Sequence, residues 1–491
     1  MSKLYRAFYL IIFAAALNLQ FFTNARAQVL EAVVRIEPGN STARVNGKYL
    51  GTAGGLNLSF SRSVAGIEKL GERVSIVSLN EGGGNAVRFK KMIDGEYLAE
   101  SEISSWEYTV DLIPPKNNAA AAHVSWISGG RGVLMPGDLL PQPGANGSRA
   151  GRLRFELPAG WSVLSSEKRI DDNWFEVSDT GHAVFLIGKE WRARRVGTAP
   201  IDLAITGEWL FSDDEAAMMA DEIYGVYKKM FGHDPTARAQ IAISKFPGDA
   251  SHGLWEAETR GRTVTIISSD MAFKTQSLQR LHEQLRHELF HLWLPNGVNL
   301  TGNYDWFYEG FALYQSLKTA VTLNRIRFDD FLDTLSRAHS IDSRQTRRMS
   351  LIEAAANRFA GANTQVYARG MIVAFLSDIA MLGKSKGKRS VSDIFREIYD
   401  KHSISNEGQD GNTAVISVMQ ANTELRPIIE KYIRGGGKVE WRAELVATGI
   451  DSIEEKGQTT LKVRSKLNSR QKALLDKLGY NNWRKLSRNS K

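Results

Sequence analysis

Hydrophobic and polar positions divide the chain into two textures. Over residues 28–205 the apolar residues come in short β-rich runs. Examples are Ala32-Val33-Val34-Arg35-Ile36, Val74-Ser75-Ile76-Val77 and residues 182–187, separated by Gly, Asn, Asp and Pro clusters. This predicts a β-sandwich-like domain. Near Gly207 the spacing becomes helical. Ser212-Asp213-Asp214-Glu215 reads as a capping box that opens a helix running to about Phe231. Lys228 and Lys229 fall in its last turn and Gly232 stops it. Strands are expected near 240–244 and 263–268, then a helix over 277–294 ended by Pro295. Residues 306–318, 366–382 and 391–402 also carry helical spacing. A small sheet followed by a helical lobe is therefore expected over 206–435. From Gly436 the pattern is mixed, with a strand pair expected at 440–446 and 459–463 and a helix at 470–478.

Composition adds bounds to this α+β multidomain reading. A chain of 491 residues, 43% of them hydrophobic, is too long for one core, so two or three domains are expected. At the N-terminus Lys3 and Arg6 precede the apolar run 7–17, and Ala25-Arg26-Ala27 is a small-x-small site. Residues 1–27 are thus expected to be an export signal, with the mature chain starting at Gln28. The alternative is a retained anchor lengthened by Phe21 and Phe22, against which Asn18 and Gln20 interrupt the run. No later stretch has the roughly 18 continuous apolar residues of a membrane span. The chain has no cysteine, which excludes disulfides, thiolate zinc sites and cysteine catalysis. An exported chain of this size without disulfides fits a bacterial periplasm or secretion. The net charge of +9 is concentrated late, at Lys462, Arg464, Lys466, Arg470, Lys472, Lys477, Arg484, Lys485, Arg488 and Lys491. That tail is expected to be solvated, with weak contact to an anionic surface as the alternative. No aromatic interleaving or motif points to nucleic acid.

The chemistry centres on His287-Glu288-Leu289-Phe290-His291. Histidines four apart on a helix stack on one face and can direct both imidazoles at one ion. Glu288, one step round, can lie beside a metal without ligating it and take a proton from water. Alone, HExxH arises by chance in roughly one such chain in a hundred. Glu309 follows in Trp306-Phe307-Tyr308-Glu309-Gly310-Phe311, after a linker with Pro295, Gly297 and Gly302 that lets the chain reverse. Two histidines and a carboxylate leave a fourth position open, the pattern of a catalytic Zn2+ site. Glu309 also suits a helix N-terminus on charge grounds alone.

With these residues in view, the sequence resembles the glycyl aminopeptidase family and the wider aminopeptidase N-like zinc peptidases. The likeness rests on His287–Trp293, on 306–314 and on Tyr367-Ala368-Arg369-Gly370, and extends more weakly to Phe155–Trp161. It implies a thermolysin-like catalytic domain, with His287, His291 and Glu309 as zinc ligands. It also implies Glu288 as general base and Tyr367 as hydrogen-bond donor to a developing oxyanion. Departures lie elsewhere. The family places a glutamate that binds the substrate amine after a glycine-rich stretch. Here Gly253-Leu254-Trp255-Glu256-Ala257-Glu258 displaces it, leaving Glu256 or Glu258 to serve, or both as solvated edge-strand carboxylates. The 436–491 segment is too short for the PDZ domain with which the family commonly ends. The expectation is a zinc metallopeptidase acting on a peptide or protein, an aminopeptidase by resemblance. The alternatives are an endopeptidase, a zinc hydrolase of another bond, or a non-catalytic envelope binding protein with structural zinc.

Overall fold

The computed structural model describes residues 29–37, 39–50, 55–142, 149–171, 173–235, 238–404 and 406–482. The expected signal at 1–27 and the end of the basic tail lie outside them. The described chain forms two compact units. One comprises the residues up to Pro114 and Val124–Lys189; the other comprises Pro115–His123 and everything from Glu190.

The first unit is all β apart from single helical turns. Its largest sheet has seven strands, in the order Lys168–Asp171, Trp174–Val177, Gly151–Glu156, Val29–Ile36, Thr42–Leu50, Ser105–Asp111 and Val74–Asn80. Strand Val29–Ile36 alternates buried and less buried positions, so Leu30, Ala32, Val34 and Ile36 face one side. A four-stranded sheet contributes Val163, Phe185 and Ile187 to the same apolar cluster.

The second unit begins earlier than the expected boundary at 205/206. Arg192–Arg195 and Ile201–Ile205 read as more of the β-rich texture, yet they pair into its five-stranded sheet. Ile201–Ile205 lies parallel to Ala239–Lys245, which lies parallel to Thr263–Ser268, and Trp255–Arg260 closes the far edge antiparallel. Helix Asp213–Phe231 starts with the expected capping box, the Glu215 amide donating to Ser212 Oγ at 3.1 Å. It ends at Gly232, whose φ of 87° suits a residue without a Cβ. Helix Lys274–Phe290 carries the HELFH segment, and helices Ala312–Thr322, Phe328–Ser343, Asn363–Ser385 and Val391–His402 complete the lobe. Asn363–Ser385 is long and apolar enough to cross a membrane, but 83% of its most apolar stretch is buried inside this unit.

The residues from Gly436 are not a separate segment. Val439, Trp441, Leu445, Leu461 and Leu475 belong to the core of the same unit. Trp441 stacks on His339 with ring centroids 4.2 Å apart. The expected strand at 440–446 is a helix, Arg442–Thr448, which buries Leu445 and Thr448 one turn apart and stops at Gly449. The strand pair is instead Ile450–Glu455 with Gln458–Val463. Its Thr459 and Leu461 amides donate to Ser340 Oγ and Ser336 Oγ of helix Phe328–Ser343.

Candidate metal centre

The HELFH helix stops at Phe290, short of the expected Leu294, and His291 turns back on the last turn. Its imidazole Nδ1 donates to the Leu294 carbonyl at 2.9 Å. That bond fixes the proton on Nδ1 and leaves the Nε2 lone pair free for a metal. His291 Nε2 lies 3.2 Å from His287 Nε2.

The third ligand arrives on a π-helical turn, Trp306–Phe311, that leads into helix Ala312–Thr322. Such turns re-aim a side chain out of the regular helical rows. Glu309 Oε2 sits 3.1 Å from His287 Nε2 and 3.7 Å from His291 Nε2. All three residues are buried, and among the described residues they form the one cluster suited to a metal.

These separations test whether zinc fits. Ligands about 2.0 Å from a tetrahedral ion stand about 3.3 Å from one another. The three distances bracket that value. The chemistry agrees, because two imidazole nitrogens and a carboxylate oxygen, the donor types zinc takes in catalytic sites, converge in a buried cluster. The residues therefore fit Zn2+.

Two neighbours complete the site. Glu288 is buried, and Thr259 Oγ1 lies 2.8 Å from its Oε2. Thr259 belongs to edge strand Trp255–Arg260, which packs on the HELFH helix. Asn296 ties that contact by donating to the Thr259 carbonyl at 3.0 Å. Tyr367, on helix Asn363–Ser385, has its ring centroid 6.4 Å from that of His287. Burial and then the Glu309 charge push its phenol well above the ordinary value, so it stays protonated and can donate.

The helix of Tyr367 and the turn of Glu309 meet through two glycines. A Cβ on Gly310 would stand 2.6 Å from the Gly370 Cα, and one on Gly370 would stand 2.7 Å from the Gly310 Cα. Only glycine at both positions permits this approach.

Arg358 was not legible as part of the site. Its Nη1 donates to Asp305 Oδ1 at 2.7 Å and Glu309 Oε1 at 3.1 Å, and its Nη2 donates to Tyr367 Oη at 2.7 Å. Burial alone would raise the Glu309 pKa, but Arg358, then His287 and His291, hold the carboxyl well below its usual range.

The two candidate amine-binding carboxylates separate. Glu258 lies 2.8 Å from His123 Nδ1 and accepts from Arg260 Nη2 at 3.0 Å. Burial opposes its ionisation, but Arg260 and His123 outweigh that and lower its pKa to about 2. The Glu256 carboxylate makes no hydrogen bond or ion pair among the described residues, and burial raises its pKa. Two further histidines lie outside the cluster: His252 Nδ1 is 3.3 Å from the Asp270 carbonyl and His282 packs against Arg286.

No protein-family model and no curated protein matches the sequence. Solved structures do match. An aminopeptidase N family protein from Idiomarina loihiensis superposes with a TM-score of 0.74, at 13% identity, over 87% of this chain and 79% of that one. The M1 zinc metallopeptidase from Deinococcus radiodurans, as a point mutant bound to a Tyr-Ser-Ala substrate, gives 0.55 at 14% identity over 84% and 95%. A two-domain M1 zinc metallopeptidase mutant bound to L-arginine gives 0.53 over the same shares, also at 14% identity. The chain has the mixed α+β fold of the M1 zinc peptidases. The resemblance read from the HELFH and Glu309 segments thus extends to the fold.

Proposed function

We propose that the protein is a zinc metallopeptidase, with His287, His291 and Glu309 holding the metal. One observation carries this reading: three ligand atoms converge at tetrahedral spacing with a buried carboxylate and a half-buried phenol beside them. Zinc bound there supplies Lewis acidity to the scissile carbonyl and to water. Glu288, held by Thr259, takes the proton of the attacking water and returns it to the leaving amine. Tyr367 donates its O–H to the carbonyl oxygen as charge develops. Structural zinc needs neither Glu288 nor Tyr367, which favours catalysis over a binding protein.

Aminopeptidase action is the preferred form. The superposed M1 enzymes hold a tripeptide and a free amino acid. With Glu258 committed to His123 and Arg260, Glu256 is the carboxylate left to receive a substrate's ammonium. A family-like amine site is thus served by one glutamate of the pair. Export to a bacterial periplasm or medium belongs to the same reading and rests on residues 1–27 and the lack of cysteine. Weak contact of the late basic residues with an anionic surface stays the alternative to a purely solvated role; Lys462, Lys466 and Lys472 are exposed.

Glu288→Ala tests the reading. It should keep one zinc per chain and lose peptide turnover by at least about 10³-fold, more than general-base loss alone because the attacking water also loses its orientation. Unchanged turnover would favour the binding-protein alternative. Free peptides should be cleaved and N-acetylated ones spared; comparable cleavage of both would rule out an amine-anchored exopeptidase.

A further inference from the structure

Arg358 is the most heavily engaged side chain near the centre and has no part in the chemistry above. It sits on a short helical turn, Arg358–Ala360, nine positions before Tyr367. Its side chain is 16% exposed. The guanidinium carbon lies 5.1 Å from the centroid of the Phe359 ring and 5.3 Å from that of Tyr367. Its Nε donates to Asn363 Oδ1 at 3.3 Å, so every nitrogen of the fork is used.

The consequences follow from hydrogen-bond inventory. Glu309 has two oxygens. Arg358 takes Oε1, while Oε2 faces the imidazoles. The carboxylate is thereby divided, one oxygen to the cation of the protein and one to the metal position. A phenol has a single proton and accepts through its lone pairs. Because Arg358 Nη2 can only donate, the bond at 2.7 Å uses the acceptor side of Tyr367. The phenolic proton must then point away from Arg358, and the Glu309 carboxylate is the acceptor within its reach. A cationic donor on the oxygen also makes the O–H a stronger donor. Asp305, on Nη1 at 2.7 Å, anchors the guanidinium in this orientation.

We infer that Arg358 is a positioning residue of this centre, holding Glu309 by one oxygen so that the other faces the metal position, and turning the Tyr367 O–H to the side of Glu309 and the metal position, where a substrate oxygen would take it over. The inference rests on the zinc peptidase reading for its second half only; the hold on Glu309 stands on metal binding alone. A merely structural Arg358 would pin the turn to the helix and affect unfolding without moving zinc affinity or coupling to Tyr367.

The test compares Arg358→Gln and Arg358→Lys in the full chain, each with Tyr367 intact and with Tyr367→Phe. Zinc affinity is read by competition with a chromogenic chelator, kcat and KM at saturating zinc, and folding by thermal unfolding. Arg358→Gln should weaken zinc binding about 10–100-fold, the usual effect of losing a group that orients a ligand. It should lower kcat by about 10²-fold with KM within about 3-fold, and Lys should recover part of both. In the Tyr367→Phe background the same change should cost kcat less than about 3-fold, since residues acting as a unit are not additive. Should the Gln variant fail to fold, Asp305→Asn loosens the guanidinium without removing it and should show the same pattern at smaller size. Wild-type zinc affinity in a folded Gln variant overturns the inference, as does a kcat loss that multiplies in full on the Phe background. If the unaltered chain cleaves no peptide, the peptidase reading fails instead, and the zinc measurement still decides the role of Arg358 at Glu309.

Discussion

Thr259→Val isolates how the general base is held. The Thr259 hydroxyl has one proton and two acceptors within reach, Glu288 Oε2 at 2.8 Å and the Glu288 carbonyl at 2.9 Å. The ionised carboxylate is the stronger acceptor, so the proton belongs there. Valine keeps the branched shape and removes only the donor. A hydrogen bond to a charged group is worth about 1.5–3 kcal/mol. Without it Glu288 loses a partner for its charged form and the constraint on its rotamer. If that energy is lost mainly at the transition state, turnover falls by roughly 10–150-fold. The substrate does not touch this hydroxyl in the proposed mechanism, so KM should stay within about 2-fold. Steady-state kinetics on a chromogenic aminoacyl substrate, beside a thermal unfolding curve, gives both numbers. Thr259→Ser keeps the donor and should remain within a few-fold of the unaltered enzyme. A folded Thr259→Val enzyme with unreduced kcat would refute the assignment of Glu288 as a base held by the edge strand.

Three further outcomes follow from the geometry. Gly310→Ala forces a Cβ to 2.6 Å from the Gly370 Cα and 2.7 Å from the Val366 carbonyl, so the helix must shift. Overpacking of this kind costs about 1–3 kcal/mol, and kcat should fall as Glu309 and Tyr367 separate; unchanged stability in urea unfolding would contradict the close approach. Glu258→Gln should destabilise by up to roughly 3 kcal/mol near pH 6, since its folded pKa is about 2 against the ordinary 4.5. A depressed carboxyl pKa contributes stability above its unfolded value and loses it as pH falls toward the folded one. The gap between the variant and the unaltered chain should therefore narrow below about pH 4.5, and also as pH rises through the raised pKa of His123; a pH-independent gap contradicts the pairing. Chelation should abolish peptide cleavage and lower Tm, with Zn2+ restoring both, because ligand binding to the folded state alone stabilises it; full activity in metal-free protein would contradict the centre.

What was legible in the sequence is what the chain encodes locally. The Ser212/Glu215 box spans three residues, and His287 and His291 are one helical turn apart. Glu309 and Tyr367 were legible because each sits in a distinctive string. The misread elements have equally local causes. In 440–446, Trp441, Ala443 and Leu445 alternate as in a strand, and only their packing shows a helix. Ile201–Ile205 has the texture of the preceding strands, but its partner Ala239–Lys245 lies beyond a 19-residue helix. The residues that support the site were invisible for the same reason. Thr259 reaches Glu288 across 29 positions, Arg358 reaches Glu309 across 49, and His123 reaches Glu258 across 135. No periodicity spans such distances.

The two motif glycines show how a string can be visible while its purpose is not. In sequence, Gly310 and Gly370 are only small residues following Glu309 and Arg369. In the structure they are where the turn and the helix touch, backbone to backbone, as the facing approaches of 2.6 and 2.7 Å require. Glu309 directly precedes one of them, and Tyr367 lies one helical turn before the other. The contact therefore sets the separation of the candidate metal ligand from the proposed oxyanion donor, groups that belong to different elements. Arg369 strengthens the same seam from behind: it is fully buried, pairs with Asp342 and donates to the Gly435 and Gly437 carbonyls. A lysine at that position could not reach both carbonyls and the carboxylate with one ammonium in a fixed fork. The segment 367–370 thus forms a unit, in which the phenol is the proposed donor, the glycine sets its distance and the arginine holds its helix in place.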